Sequence, residues 1–472
     1  MGFIYGLAVV LVIFEVIIIQ CEGTGDANSS KQIQDEPTTD IKEDQPFLLN
    51  DLIESIISKT DFETIQETIR SQIVRATNIV MGRILQDRII VILPDLNGGI
   101  YEDYQFGDSF LIFGNYQRLI SFFDKFGDQV KKIEIDLEEG FVQRKEIVHD
   151  IIKKYAKNLE ELRIGTLGDE GFWEEMSNGD NDIIFPEVKK FQIMGTSSRN
   201  ELKLNLIFPK LESLKLSGTV ADVNCLTNVK GLKELTLRTI SIQEHQLEDI
   251  FANNKNMTKI TLSAPNRTET MQSIAKYLTK LETLNVEFPG ENFLVRTNNN
   301  VVYKLPSVTH FNIIFDEMDE VFGNRNHSFE MPNLKKLTLN GDRTDDRIIN
   351  FVKHFKELEI LELLVHEYNA EECIDELENI KELTTIYHED GFVSLKNIFE
   401  HFDKESKLQT LKLVHYDESL FQACEAEMKQ INIHLKNSMK PTWTVSHGEQ
   451  IETDHRYLMF RREPCTCKTC NK

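Results

Sequence analysis

The sequence predicts an α/β solenoid in which each unit is one short strand followed by one return helix, the strands forming a parallel concave sheet and the helices its convex side. Three observations predict it. A pattern L-x-x-L-x-L, with Ile, Val, Met or Phe as substitutes, recurs twelve times at steps of 21 to 29 residues. Its first positions are Val130, Leu159, Val188, Leu211, Leu232, Met257, Leu281, Val308, Leu334, Leu358, Leu383 and Leu408. The fourth and sixth positions alternate with polar neighbours, as where Leu214 and Leu216 stand between Ser213, Lys215 and Ser217, which is the period of a half-buried strand. Between copies the spacing turns helical: Ile147, Val148, Ile151, Ile152 and Tyr155 share a face, as do Ile348, Phe351, Val352 and Phe355, and Leu420, Cys424, Met428, Ile431 and Leu435. No such unit can bury its apolar side alone, so neighbours must stack.

Each element can be justified in chain order. Residues 1–23 read as a cleaved secretory signal, because Phe3 to Ile19 is almost wholly apolar and Cys21-Glu22-Gly23 suits a peptidase site. Retention of that run as an anchor is the alternative. After cleavage no stable membrane insertion is expected, since no later run is long and apolar enough. Residues 24–46 carry six acids and almost nothing apolar, the composition of a disordered lead-in. Residues 47–129 read as a helical cap region and linker, with Ile65, Ile69, Ile73 and Val80 near helical spacing. Residues 130–415 hold the repeats, and residues 416–472 a terminal helix and a Cys-containing tail.

The copies LESLKL from Leu211, LKELTL from Leu232, LKKLTL from Leu334, LEILEL from Leu358 and LQTLKL from Leu408 resemble the leucine-rich-repeat family. The resemblance implies a leucine-rich-repeat solenoid, or horseshoe, of the irregular ribonuclease-inhibitor-like or F-box-linked type, and a protein ligand on the concave sheet. The residue three places past the motif, often Asn or Cys in that family, is Thr219, Ile240 or Asp342 here, so the asparagine ladder of the family is missing. Upstream, Leu49-x-Asp51-Leu52-Ile53-x-x-Ile56 resembles a degenerate F-box, with Asn50 in place of its usual Pro. That resemblance implies docking on a Skp adaptor of a cullin-RING ubiquitin ligase through Leu49, Leu52, Ile53 and Ile56. A signal followed by an F-box-like segment and a horseshoe is similar in layout to the secreted effectors of plant-feeding gall midges, which implies delivery into a host cell.

The 53 basic and 77 acidic residues among 472 leave a net charge of -24, a balance that repels phosphate backbones and excludes a nucleic-acid partner without a dense basic patch. Neither a P-loop nor G-x-G-x-x-G, G-x-S-x-G or H-E-x-x-H occurs, and no enzymatic activity, cofactor or metal is expected. Cys465-x-Cys467-x-x-Cys470, with Cys424 on the terminal helix, suits disulfide pairing in a secreted protein; free thiols, or zinc held with His447 and His455, are the alternatives. Asn28, Asn256, Asn266 and Asn326 open N-glycosylation sequons. Motif positions three, five and seven face outward and give eight bases against seven acids, Glu389 among them. Lys190, Lys215, Arg238 and Lys259 form the basic part of that face, and Ile360, Leu364, Tyr387 and Val414 an apolar part that either anchors a partner or is covered by the chain from Pro441 onward.

Overall fold

The computed structural model describes residues 85, 88–92, 104–106, 110–113, 116–137, 145–166, 184–195, 203–218, 224–238, 242–263, 268–288, 301–315, 327–341, 347–365, 379–386, 399, 407–415, 419–437, 442–450 and 455–463. The signal run, the acidic lead-in and the F-box-like residues Leu49, Leu52, Ile53 and Ile56 lie outside them. The chain divides into two units, 1–165 and 166–472.

The first unit holds β1 (Ile89–Ile92), β2 (Tyr104–Phe106), β3 (Phe110–Phe113), α1 (Tyr116–Phe126), β4 (Lys132–Leu137), α2 (Lys145–Tyr155) and β5 (Glu161–Thr166). Where a helical region and linker were expected, residues 89–113 thus carry three strands. β1 lies parallel to both β3 and β4, with Ile90 beside Ile133 and Ile92 beside Ile135, while β2 runs antiparallel to β3. Ile90 and Ile92 therefore occupy motif positions four and six of a repeat that precedes Val130. They are fully buried, as β-branched residues on the inner side of a sheet should be. Phe122, Phe123 and Phe126 of α1 pack edge-on and tilted against one another, and Phe123 meets Tyr155 of α2 at 5.5 Å between ring centres. A Cβ at Gly127 would stand 2.4 Å from the Tyr155 ring, so this close approach requires glycine.

The second unit continues with β6 (Lys190–Gly195), α3 (Leu204–Ile207), β7 (Ser213–Ser217), α4 (Asn224–Thr227), β8 (Glu234–Arg238), α5 (Glu244–Asn253), β9 (Lys259–Ser263), α6 (Thr268–Tyr277), β10 (Thr283–Phe288), β11 (Val301–Lys304), β12 (His310–Phe315), β13 (His327–Glu330), β14 (Lys336–Gly341), α7 (Arg347–Val352), β15 (Ile360–Val365), β16 (Glu382–Ile386), β17 (Thr410–His415), α8 (Ser419–Asn437), β18 (Trp443–Gln450) and β19 (His455–Arg462). Strands β6 to β10, β12 and β14 to β17 pair in parallel, each with the next repeat. Motif positions one, four and six, such as Leu281, Leu284 and Val286, are buried, and each such side chain contributes roughly 1.5–3 kcal/mol by leaving water. One carbonyl per repeat accepts two amides from the next. Lys189 O takes Glu212 N and Ser213 N, Glu212 O takes Lys233 N and Glu234 N, and the pattern runs unbroken to Lys381 O with Gln409 N and Thr410 N. This strand-by-strand register is that of an α/β leucine-rich-repeat solenoid.

One repeat is read differently from its sequence. Leu383 pairs with Leu361 on one side and Leu411 on the other, which makes it a fourth position, not a first. The true first position is the buried Ile380, and Thr385 fills the sixth, also buried. Threonine at that site hides the motif, and the pattern slips three residues to Leu383-x-x-Ile386. Outward positions are consequently Glu382, Thr384 and Ile386; Tyr387 and Glu389 lie outside the described residues.

The return side also departs from the all-helical expectation. Before the repeats of Val308 and Leu334 the returning segments are β11 and β13, which pair in parallel from Val301 beside His327 to Lys304 beside Glu330. Val301-Val302-Tyr303 favours extended backbone, and buried Tyr303 packs on Phe329, which bridges to Phe311 and Phe351. At the far end the segment after Pro441 joins the sheet in its own plane. β19 lies antiparallel to β17, and β18 pairs with β19.

Candidate interaction surface

Outward residues of the second unit fall on three lines that the strand register draws across the sheet. The first holds Lys190, Ser213, Glu234, Lys259, Thr283, His310, Lys336, Ile360, Glu382 and Thr410, and passes to Arg461 of β19. Along the middle run Gln192, Lys215, Thr236, Thr261, Asn285, Asn312, Thr338, Glu362, Thr384 and Lys412, then Met459. On the third, Ser263 adjoins Glu287, followed by Ile314, Asn340 and Leu364, and Ile386 adjoins Val414 and Tyr457.

The predicted basic group divides. Arg238 reaches two strands along to Glu287, 2.6 Å away, and so is neutralised within the face. Lys190 and Lys259 are exposed, and Lys215 is half-buried. Farther along, Lys336 pairs with Glu362 at 2.8 Å, and Lys412 hydrogen-bonds Glu382 while lying over the Tyr457 ring. Thr338 donates to Glu362 (2.7 Å) and Asn285 to Thr261 (2.9 Å). These are the cross-strand pairs that neighbouring strands allow. Asn312 Oδ1 and Thr384 Oγ1, on the middle line, are buried and have no hydrogen-bond partner among the described residues, and a buried acceptor of this kind gains most from an added donor.

The predicted apolar group holds only in part. Ile360 and Leu364 are half-buried, Val414 is 4% exposed, and Ile386 takes the place assigned to Tyr387. Among the described residues, β19 extends the group at the edge, adding Tyr457 and Met459 beside Val414 and Lys412. These two residues were missed, although the alternation of Tyr457, Met459 and Arg461 with Leu458 and Phe460 is the period-two signal of a strand.

A second charged feature runs along motif position two. Lys131 meets Glu160 in the first unit; in the second, Glu212 meets Lys233, and Glu359 sits between Lys335 and Lys381. The Lys233 ammonium, hydrogen-bonded to Glu212, holds that carboxyl below the ordinary carboxylate range, with Lys189 adding to it. Lys381, then Lys335, does the same for Glu359. On the helical side Lys276, then Tyr277, lowers Glu248.

Of the glycosylation candidates, Asn256 is exposed in the turn before β9, where its Oδ1 accepts from Lys280 at 2.8 Å; Asn28, Asn266 and Asn326 lie outside the described residues. Cys465, Cys467 and Cys470 lie outside them as well, as does the side chain of Cys424. Among the described residues no group of His, Cys, Asp and Glu could hold a metal ion, and no helix is long and apolar enough to cross a membrane.

No family model matches this chain, and no curated protein matches it. Among solved structures, an internalin from Listeria monocytogenes is similar at 14% identity and a TM-score of 0.26, over 54% of this chain and 66% of that one. The chain therefore spans just under two thirds of that protein's length, and the repeat architecture stands on its own strand register.

Proposed function

We propose that this chain is a secreted, non-enzymatic recognition protein that binds a protein partner on the sheet face of its second unit. The observation that carries the reading is the half-buried apolar group Leu364, Ile386 and Tyr457, set around the buried Val414 and flanked by Ile360 and Met459. Aliphatic and aromatic groups lie there beside charges already paired within the face, Lys336 with Glu362 and Lys412 with Glu382. A partner covering this area gains apolar burial without stripping water from an unpaired ion. Leu364→Asp/Ile386→Asp should release a partner captured by the purified chain, with a loss of about 2 kcal/mol or more. Leu206→Asp, at an exposed position on α3, should retain it. Retention of the same partner by the double variant overturns the reading.

A second reading follows from the order of parts, an F-box-like segment ahead of the repeats. In it the protein is an exported substrate receptor that holds a Skp adaptor through Leu49, Leu52, Ile53 and Ile56 and selects targets with the same face. Adaptor capture that is abolished by Leu52→Asp supports this reading, and no capture by the full chain removes it.

A further inference from the structure

Resting on the reading that the sheet face binds protein, we infer that its β6 to β9 end takes an acidic segment whose two carboxylates stand four residues apart in an extended chain. Lys190, Ser213, Glu234 and Lys259 occupy one line by register. Both lysines are exposed, whereas Arg238, Lys336 and Lys412 are each engaged by an acid of the face. A chain of net charge -24 thus offers two protruding cations at a fixed separation. Three strand steps of about 4.8 Å put their backbones roughly 14 Å apart, and four residues of extended chain span about the same distance.

Between the two lysines stands Glu234, exposed and accepting the Ser213 hydroxyl at 3.0 Å. With Ser213 it flanks the midpoint, where it disfavours a third acid and suits a lysine, arginine or serine. The line therefore reads acid, any, donor or base, any, acid. This alternation argues for a peptide over a nucleic acid, whose uniform run of phosphates sets a charge against Glu234 and meets the repulsion of the whole chain.

The test uses the full chain and two fluorescein-labelled peptides of one composition, Gly-Ser-Glu-Ser-Lys-Ser-Glu-Ser-Gly and Gly-Ser-Glu-Glu-Lys-Ser-Ser-Ser-Gly, with a thymidine oligonucleotide as the competing polyanion. The spaced peptide should bind at least about tenfold tighter than its isomer, and more weakly as salt rises. Lys190→Glu/Lys259→Glu should abolish the difference. Lys230→Glu/Lys436→Glu carries the same charge change at exposed positions outside the strands of this face and should preserve it. Thermal melts of both variants establish that each is folded. Equal binding of the two peptides, full binding by Lys190→Glu/Lys259→Glu, or a tighter complex with the oligonucleotide overturns the inference. None of these outcomes touches the Leu364 and Ile386 experiment, so the two readings fail separately.

Discussion

Asn254 shows how much of the stack is held by single side chains. It is 2% exposed, its Oδ1 accepts the Leu232 amide at 2.9 Å, and its Nδ2 donates to the carbonyls of Val229 and Ile250. Two of those three groups lie 22 and 25 positions earlier, about one turn of the stack back, so one amide joins consecutive turns in the interior. Asn254→Ala leaves these backbone groups without partners and should cost about 2–4 kcal/mol, whereas Asn253→Ala, which removes one exposed bond to Thr227 O, should cost under about 1 kcal/mol. Urea unfolding followed by hydrogen exchange at β8 and β9 separates the two. The sequence pointed to a missing asparagine ladder after the motif; what joins these turns is polar groups before it, with Ser307, Asn333 and Asn379 also bonding to carbonyls about one turn of the stack earlier. Single residues of this kind escape a pattern search because their partners lie some 22 to 27 positions away. Thr385 escaped for the opposite reason: its polarity breaks the pattern locally, while its position six burial is set by β15 and β17 on either side.

At the scale of an element, strands were legible and their return segments only partly so. Period two survives in LESLKL or LKKLTL because inner and outer faces see core and water alternately. Among the described side chains of the predicted faces, α2 buries Val148, Ile151 and Ile152, α7 buries Val352 with Phe351 half-buried, and α8 buries Met428, Ile431 and Leu435. β11 and β13 were not legible, since each is four residues long and reaches full pairing only beside the other. The position-two rim gives a pH prediction. Glu212 and Glu359 are held below the ordinary value of 4.5 by Lys233 and Lys381. A lowered folded-state value means that their contribution is complete above 4.5 and is lost as pH falls through the lowered value. The melting temperature should therefore fall on acidification below that range, and less so in high salt, where exposed pairs are already screened. Lys233→Met/Lys381→Met should flatten the acid limb, and a limb identical to that of the parent chain would contradict the assignment.

Across the second unit as a whole, each strand of the stack leans on its two neighbours, so stability propagates along the sheet and its last edge has to be closed by something other than a repeat. The closing piece is the hairpin of β18 and β19. β19 pairs with the whole of β17, from Thr410 beside Arg461 to His415 beside Arg456. Trp443 is buried against Phe399, which in turn meets Phe460, and Asn432 of α8 binds both the amide and the carbonyl of Trp443 at 2.9 and 2.7 Å. Asn432 thereby occupies the backbone groups of Trp443 at the start of β18, groups of the kind through which strand edges otherwise pair with other chains. The sequence marked this region by its cysteines and terminal helix, and its role as a cap became readable only through the pairing of β19 with a strand some 45 residues earlier. Ending the chain before Trp443 should uncover the β17 edge, with Leu411 and Leu413 losing their neighbours Phe460 and Leu458. Nearest-neighbour coupling predicts a graded outcome: amide protection falls first in β17, then in β16 and β15, while β7 to β9 stay close to their original protection. Trp443→Ala should reproduce the same order more mildly, with a local loss of about 3–5 kcal/mol. Uniform loss of protection from β6 to β17 on truncation would mean that the unit unfolds in one step, and the hairpin would then be a nucleus for the whole stack and not the cap of its last repeats.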